Sequence, residues 1–319
     1  TYTNSADTLI FSARQNSSIE ITNKFITKKP LRIIQRQVPD LVSSSNGVDY
    51  LIIYPKIFES QVLQLQNHRE TYDNFRVKKA EIQDIYDIFS YGIVSPDAIK
   101  NFNRHIFYNW QQPRVKYVCL FGRGSLDPKK SSDATIYSEN FIPIKGNPSS
   151  DNFYSNVNTG TFVFYNQISI GRLPALNVTE AQSMVNNIIS YETQPPRSWS
   201  KDFTFIGGGV NQVEQELFNP QIIDSLINPH ILPNPIKGNP VRIMRYDLNG
   251  ALTFNITDSV KNQINRGTIA VNFLGHAGSQ DWEISMKDPN VLNNNGNFPV
   301  VFSMTCYTGK TGEPNFRSF

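Results

Sequence analysis

TIAVNFLGHAG (residues 268–278) and VVFSMTC (residues 300–306) are two short apolar runs, each ending on a residue able to do chemistry, His276 and Cys306. Runs of this length, rich in Val, Ile, Phe and Leu, read as strands. In an open parallel sheet, chemistry gathers beyond the carboxyl ends of the strands. His276 and Cys306 lie 30 residues apart. That leaves room for one crossover and permits adjacent strands.

The same grammar extends backwards. KDFTFIGGG (201–209) reads as a strand with a glycine-rich exit, VEQELFNPQIIDSLI (213–227) as a helix, VRIMRYDL (241–248) as a strand and FNITDSVKNQINRG (254–267) as a helix ending at Gly267. An earlier series has the same form. DYLIIYP (49–55), FRVKKAEI (75–82), VKYVCLFG (115–122) and FVFYNQISIGRLPAL (162–176) read as strands. They alternate with helices over 58–72, 83–92, 96–110 and 179–194, with Pro96 at a helix start and Thr179 as a cap. Strands alternating with helices imply parallel pairing with helices on both faces. The chain therefore divides into a first α/β subdomain over 46–200 and a second over 201–319. The second carries His276 and Cys306 and is expected to be C-terminally incomplete. Residues 1–45 alternate loosely and read as the end of an upstream β domain, closed by SSSNGVD (43–49). Residues 125–160 read as long surface loops. One long sheet and two sheets side by side both satisfy this pattern.

Composition narrows the function. The 319 residues carry a net charge of only +3, with the basic residues dispersed. This argues against a nucleic-acid partner. No apolar run is long enough to span a bilayer. Of the two cysteines, Cys119 lies inside the apolar run YVCLFG and reads as a small buried hydrophobe. GGG (207–209) and FGRG (121–124) lack the spacing of a phosphate-binding loop and read as tight strand exits.

A thiol with a pKa of about 8.5 becomes an effective nucleophile beside an imidazole that takes its proton. Four histidines are present. His68 and His105 fall inside predicted helices and His230 in a proline-rich loop, so His276 is the candidate base for Cys306. Two ligands do not make a metal site.

The segments LIIYP, VCLFGRGSLD, ISIGRLPALNVTEAQSMVNNIISYE, VNFLGHAGSQDW and VVFSMTC together resemble the gingipain-type cysteine peptidases, in particular the PorU-like branch of type IX secretion sortases. The resemblance covers roughly residues 49–310. It implies a caspase-like fold of mostly parallel sheets flanked by helices, preceded here by a short β segment. It also implies a catalytic pair of Cys306 and His276. An upstream acid orients the histidine; Glu214 and Glu216 both fit, and spacing slightly favours Glu216, 60 residues before His276. Oxyanion donors are expected in the turn Gly275, Ala277, Gly278, and at Cys306 itself. Ala277 stands where the family commonly has glycine. Trp282 reads equally as a pocket wall or a packing anchor, and Asp281 and Glu283 as receivers of a basic substrate side chain. No cofactor is required. Gingipains bind calcium through loops, which makes Asp127, Asp133 and Asp151 the candidates for a structural calcium. The implied substrates are secreted proteins with a C-terminal sorting domain. The implied acyl acceptor is an anionic lipopolysaccharide, and the implied partners are outer-membrane components of type IX secretion. The implied location is the cell surface of a Bacteroidota-type bacterium. A general secreted endopeptidase and an inactive scaffold subunit are the alternatives.

Overall fold

The computed structural model describes residues 2–5, 8–11, 35–131, 137, 139–146, 148–158, 165–245, 256–283, 286 and 288–318. The chain forms two compact units, Thr1–Val38 and Pro39–Phe319. In the first, β1 (Tyr2–Ser5) and β2 (Thr8–Phe11) pair antiparallel, Tyr2 opposite Phe11. The remaining strands expected before residue 35 lie outside the described residues.

The second unit holds two separate four-stranded sheets, each wholly parallel. The first is built from β3 (Tyr50–Tyr54), α1 (Glu59–Tyr72), β4 (Val77–Glu81), α2 (Ile82–Phe89), α3 (Pro96–Asn109), β5 (Tyr117–Phe121), α4 (Asn152–Ser155), β6 (Ser169–Leu173) and α5 (Val178–Thr193). Its strand order is β4-β3-β5-β6. Alternation along β3 and β5 feeds two cores. Leu51, Ile53, Val118 and Leu120 pack with α2 and α3, while Ile52, Tyr54, Cys119 and Phe121 pack with α1 and α5. Continuous apolar runs are required because both faces are covered. Each such buried Leu or Ile contributes about 1.5–3 kcal/mol.

The second sheet is built from β7 (Asp202–Gly207), α6 (Gln212–Ile222), β8 (Asn239–Met244), α7 (Ile256–Arg266), β9 (Ala270–Leu274) and β10 (Val300–Met304), in the order β10-β9-β7-β8. Ile206, Val271 and Phe273 meet Val260 and Ile264 of α7 on one face. Phe205 meets Ile222 and Ile227 on the other. From β7 the chain first crosses to β8, then returns to β9 on the opposite side. The strand order therefore reverses between β7 and β9, where such sheets open a crevice at their carboxyl ends.

Three sequence expectations change. Asn177, not Thr179, caps α5, its Oδ1 accepting the Glu180 N–H at 2.9 Å. His230 lies on a wide helical turn over Ile223–Ile231 that continues α6. The segment 125–160 is not all surface: Ile142, Tyr154 and Val157 are fully buried in the first core. Tyr154 Oη donates to Pro143 O at 2.7 Å, so the irregular backbone satisfies its polar groups locally.

Candidate active site

β9 and β10 are neighbours, and Leu274 pairs with Met304 at the end of their ladder. His276 and Cys306 each follow that pair by two residues. They therefore leave the same edge of the sheet, in register, from strands that run about 4.8 Å apart. The register offset of 30 along the whole ladder equals their separation in sequence. Gly207, the last residue of β7, pairs with Leu274 from the other side. The loop into α6 thus opens beside His276.

His276 is half-exposed, at 49%, and its Nε2 lies 3.1 Å from Glu214 Oε2. The Phe218 ring packs edge-on against the imidazole, with centroids 5.9 Å apart. Nδ1 has no hydrogen-bond partner among the described residues. The thiol and the ring are not hydrogen-bonded to each other.

Glu214, not Glu216, is the acid that reaches the imidazole. Asn211 caps α6, its Oδ1 accepting the Glu214 N–H at 3.0 Å. Glu214 is then the third helical residue, and its Oε2 turns back to accept the Val210 N–H at 2.8 Å. This variant of the capping box aims the carboxylate at the strand ends. Glu216 lies about 200° further round the helix. There it is exposed and accepts from Gln212 Nε2 at 2.7 Å. The Val210 N–H, helped by His276, holds the Glu214 carboxyl below its ordinary range. The sequence carried a signal for this residue that spacing to the histidine missed: Asn211-x-x-Glu214, a helix cap followed by its third helical residue.

Glu283 faces inward, not toward a substrate pocket. It is only 9% exposed. Its Oε1 accepts the N–H of Gly209 at 2.8 Å and of His276 at 2.7 Å. A Cβ at Gly208 or Gly275 would overlap that oxygen, which accounts for both glycines. Trp282 is the packing anchor of the two readings. It is 2% exposed, stacks on Phe273, and donates from Nε1 to Ser303 Oγ at 2.9 Å. Ser303 Oγ in turn lies 3.1 Å from Thr308 Oγ1, so the anchor reaches the turn that carries Cys306.

That turn is tight. The Thr308 N–H donates to Cys306 O at 2.8 Å, and Tyr307 adopts φ 62°, a left-handed conformation uncommon outside glycine. Cys306 is exposed, and lines a crevice of about 410 Å³ with Leu126, Pro148, Ser149, Tyr307, Lys310 and Glu313. Its walls come from both α/β halves. Arg123 of the FGRG turn joins them: 2% exposed, it donates from Nη2 to Glu313 O at 2.6 Å.

Among the expected oxyanion donors, the Gly278 N–H is taken by Asp281 O at 3.0 Å. The Ala277 N–H has no acceptor among the described residues. Cys119, by contrast, sits in the first core, where burial raises its thiol pKa. His68 is paired with Glu192, and His105 Nε2 lies 2.9 Å from Val42 O. Two of the calcium candidates have protein partners. Both Asp151 oxygens are held by Arg172 at 2.8 Å, and Asp127 Oδ1 accepts from Ser131. Asp133 lies outside the described residues. Among the described residues no group of three or more His, Cys, Asp or Glu gathers.

The model of peptidase family C25 matches residues 43–319. No curated protein matches in sequence. The crystal structure of the Arg-specific cysteine proteinase gingipain R (RgpB) superposes with a TM-score of 0.59 at 18% identity, over 87% of this chain and 58% of that one. The complex of Porphyromonas gingivalis RgpB pro- and mature domains superposes with a TM-score of 0.58 at 19% identity, over 82% and 56%. The chain therefore spans little more than half the length of these structures, and the likeness is one of fold. Dimeric latent PorU from Porphyromonas gingivalis aligns at 18% identity over 45% of this chain and 15% of that one, with a TM-score of 0.40.

Proposed function

The chain belongs to peptidase family C25, and we propose that it works as a thiol peptidase with Cys306 as nucleophile, His276 as acid–base and Glu214 as the group that orients the imidazole. The observation that carries this reading is the shared register of Cys306 and His276 at adjacent strand ends, with Glu214 on the imidazole Nε2.

The reaction starts with transfer of the Cys306 proton to His276. The thiolate attacks the scissile carbonyl carbon, and the carbonyl oxygen gains a negative charge. The Ala277 N–H points the way to an oxyanion donor, and donors of this kind are worth about 2.7–4 kcal/mol each. The C–N bond then breaks as the imidazolium protonates the leaving amine, and a thioester remains on Cys306. Water returns the acid; an amine returns a new amide.

The resemblance of the quoted segments to the PorU-like branch supports the second outcome, a sortase. On that reading the substrates are secreted proteins with a C-terminal sorting domain. The acceptor amine belongs to an anionic lipopolysaccharide, the partners are outer-membrane components of type IX secretion, and the protein works at the cell surface. The test is to incubate the protein with a substrate spanning a sorting-domain junction, with and without an added amine, alongside Cys306→Ala. Cleavage lost in Cys306→Ala, with the amine captured in the product, is the expected result. Cleavage without capture would mean a plain endopeptidase. No thioester and no cleavage would mean a scaffold.

A further inference from the structure

We infer that Glu283 is the positioning residue that locks the His276–Glu214 pair in place, an inference that rests on His276 serving Cys306. A buried carboxylate needs donors, and this one has an unusual set. One oxygen, Oε1, accepts from two backbone amides that leave different strands, Gly209 after β7 and His276 after β9. The Glu283 N–H also donates to His276 O at 3.0 Å. Both backbone polar groups of His276 are therefore bound to a single residue.

The same oxygen governs the acid. Gly209 immediately precedes Val210, whose N–H binds Glu214 Oε2 at 2.8 Å. The turn that carries the imidazole and the turn that aims its partner thus share one anchor. The glycine turn thus has a structural use without a phosphate: Gly209 donates its N–H to the carboxylate, and Gly208 leaves room for it.

A guanidinium lies behind the carboxylate without hydrogen-bonding it. Arg245 follows β8, its N–H donates to Gly207 O at 2.9 Å, and its Nη1 lies 3.8 Å from Glu283 Oε2. Trp282, the preceding residue, is buried and stacks on Phe273. Gly208 and Gly275 leave room for nothing larger than hydrogen beside the carboxylate. Charge-assisted bonds to backbone amides are about twice as strong as neutral ones. A displacement of about 1 Å in a catalytic group costs as much as 100-fold in rate.

The test measures alkylation of Cys306 by iodoacetamide in the wild type, Glu283→Gln, Glu283→Asp and His276→Ala, with thermal melts to show that each is folded. Gln keeps an acceptor and loses the charge; Asp keeps the charge and loses the reach. Both are expected to slow alkylation to the His276→Ala rate, about 10- to 100-fold below wild type. Alkylation at the wild-type rate in both, with His276→Ala slow, overturns the role of Glu283 alone. Equal rates in wild type and His276→Ala overturn the function of His276 itself. Amide exchange of the wild type gives a reading that needs no variant. The Gly209 and His276 amides should exchange far more slowly than their exposed neighbours, and fast exchange there overturns the inference.

Discussion

Two glutamates two positions apart on one helix have opposite fates, and the difference lies in where the helix begins. Asn211 sets the start of α6, so Glu214 folds back over the first turn to His276, while Glu216 projects to solvent. Glu214→Gln is expected to lower kcat at least tenfold with little change in KM, and Glu216→Gln to leave both alone; steady-state peptide hydrolysis checks the pair. The carboxyl of Glu214 is held below its ordinary range, so its contribution to stability is fully present above that range. It is lost only as pH falls through the depressed value. Melts of wild type and Glu214→Gln should therefore stay apart at neutral pH and converge only below the usual carboxylate range.

Among the elements, α5 and α6 repeat one device. Each begins Asn-x-x-Glu, each Asn Oδ1 accepts the Glu N–H, and each Glu carboxylate accepts an N–H from the residue before the cap. What the carboxylate does next differs: Glu180 pairs with Arg317 at 2.8 Å, Glu214 with His276. The His276 and Cys306 loops are also tied to each other, through Trp282, Ser303 and Thr308. Trp282→Phe keeps the stacking on Phe273 and loses the indole N–H. It is expected to cost about 1 kcal/mol in thermal or denaturant unfolding. It should also loosen the Cys306 turn, seen as faster amide exchange at Thr308.

At the scale of the molecule, the site depends on both α/β halves. Arg123 leaves β5 in the first sheet and holds Glu313 and Phe316 of the segment that follows Cys306. Leu126 N–H adds a bond to Gly312 O at 2.8 Å. Burial lowers the Arg123 pKa, the cost of placing a guanidinium where carbonyls need it. Arg123→Ala removes a charged donor and leaves those carbonyls unpaired. A loss of roughly 1.5–3 kcal/mol is expected, together with faster proteolysis within 309–318; limited proteolysis and thermal melts check both.

The sequence by itself determined the two α/β series and the strands that end at His276 and Cys306. Those are local properties. Apolar runs, helix periodicity and strand-end glycines act over a few residues, and a separation of 30 residues already permits neighbouring strands. Only the tertiary structure decided that the strands divide into two sheets and that Glu214 takes the imidazole. It also placed Trp282 in the core and turned Glu283 away from substrate to bind backbone. Each of these depends on which groups meet across elements far apart in the chain. A carboxylate reads the same in sequence whether it waits for a substrate or for two amides 7 and 74 residues away.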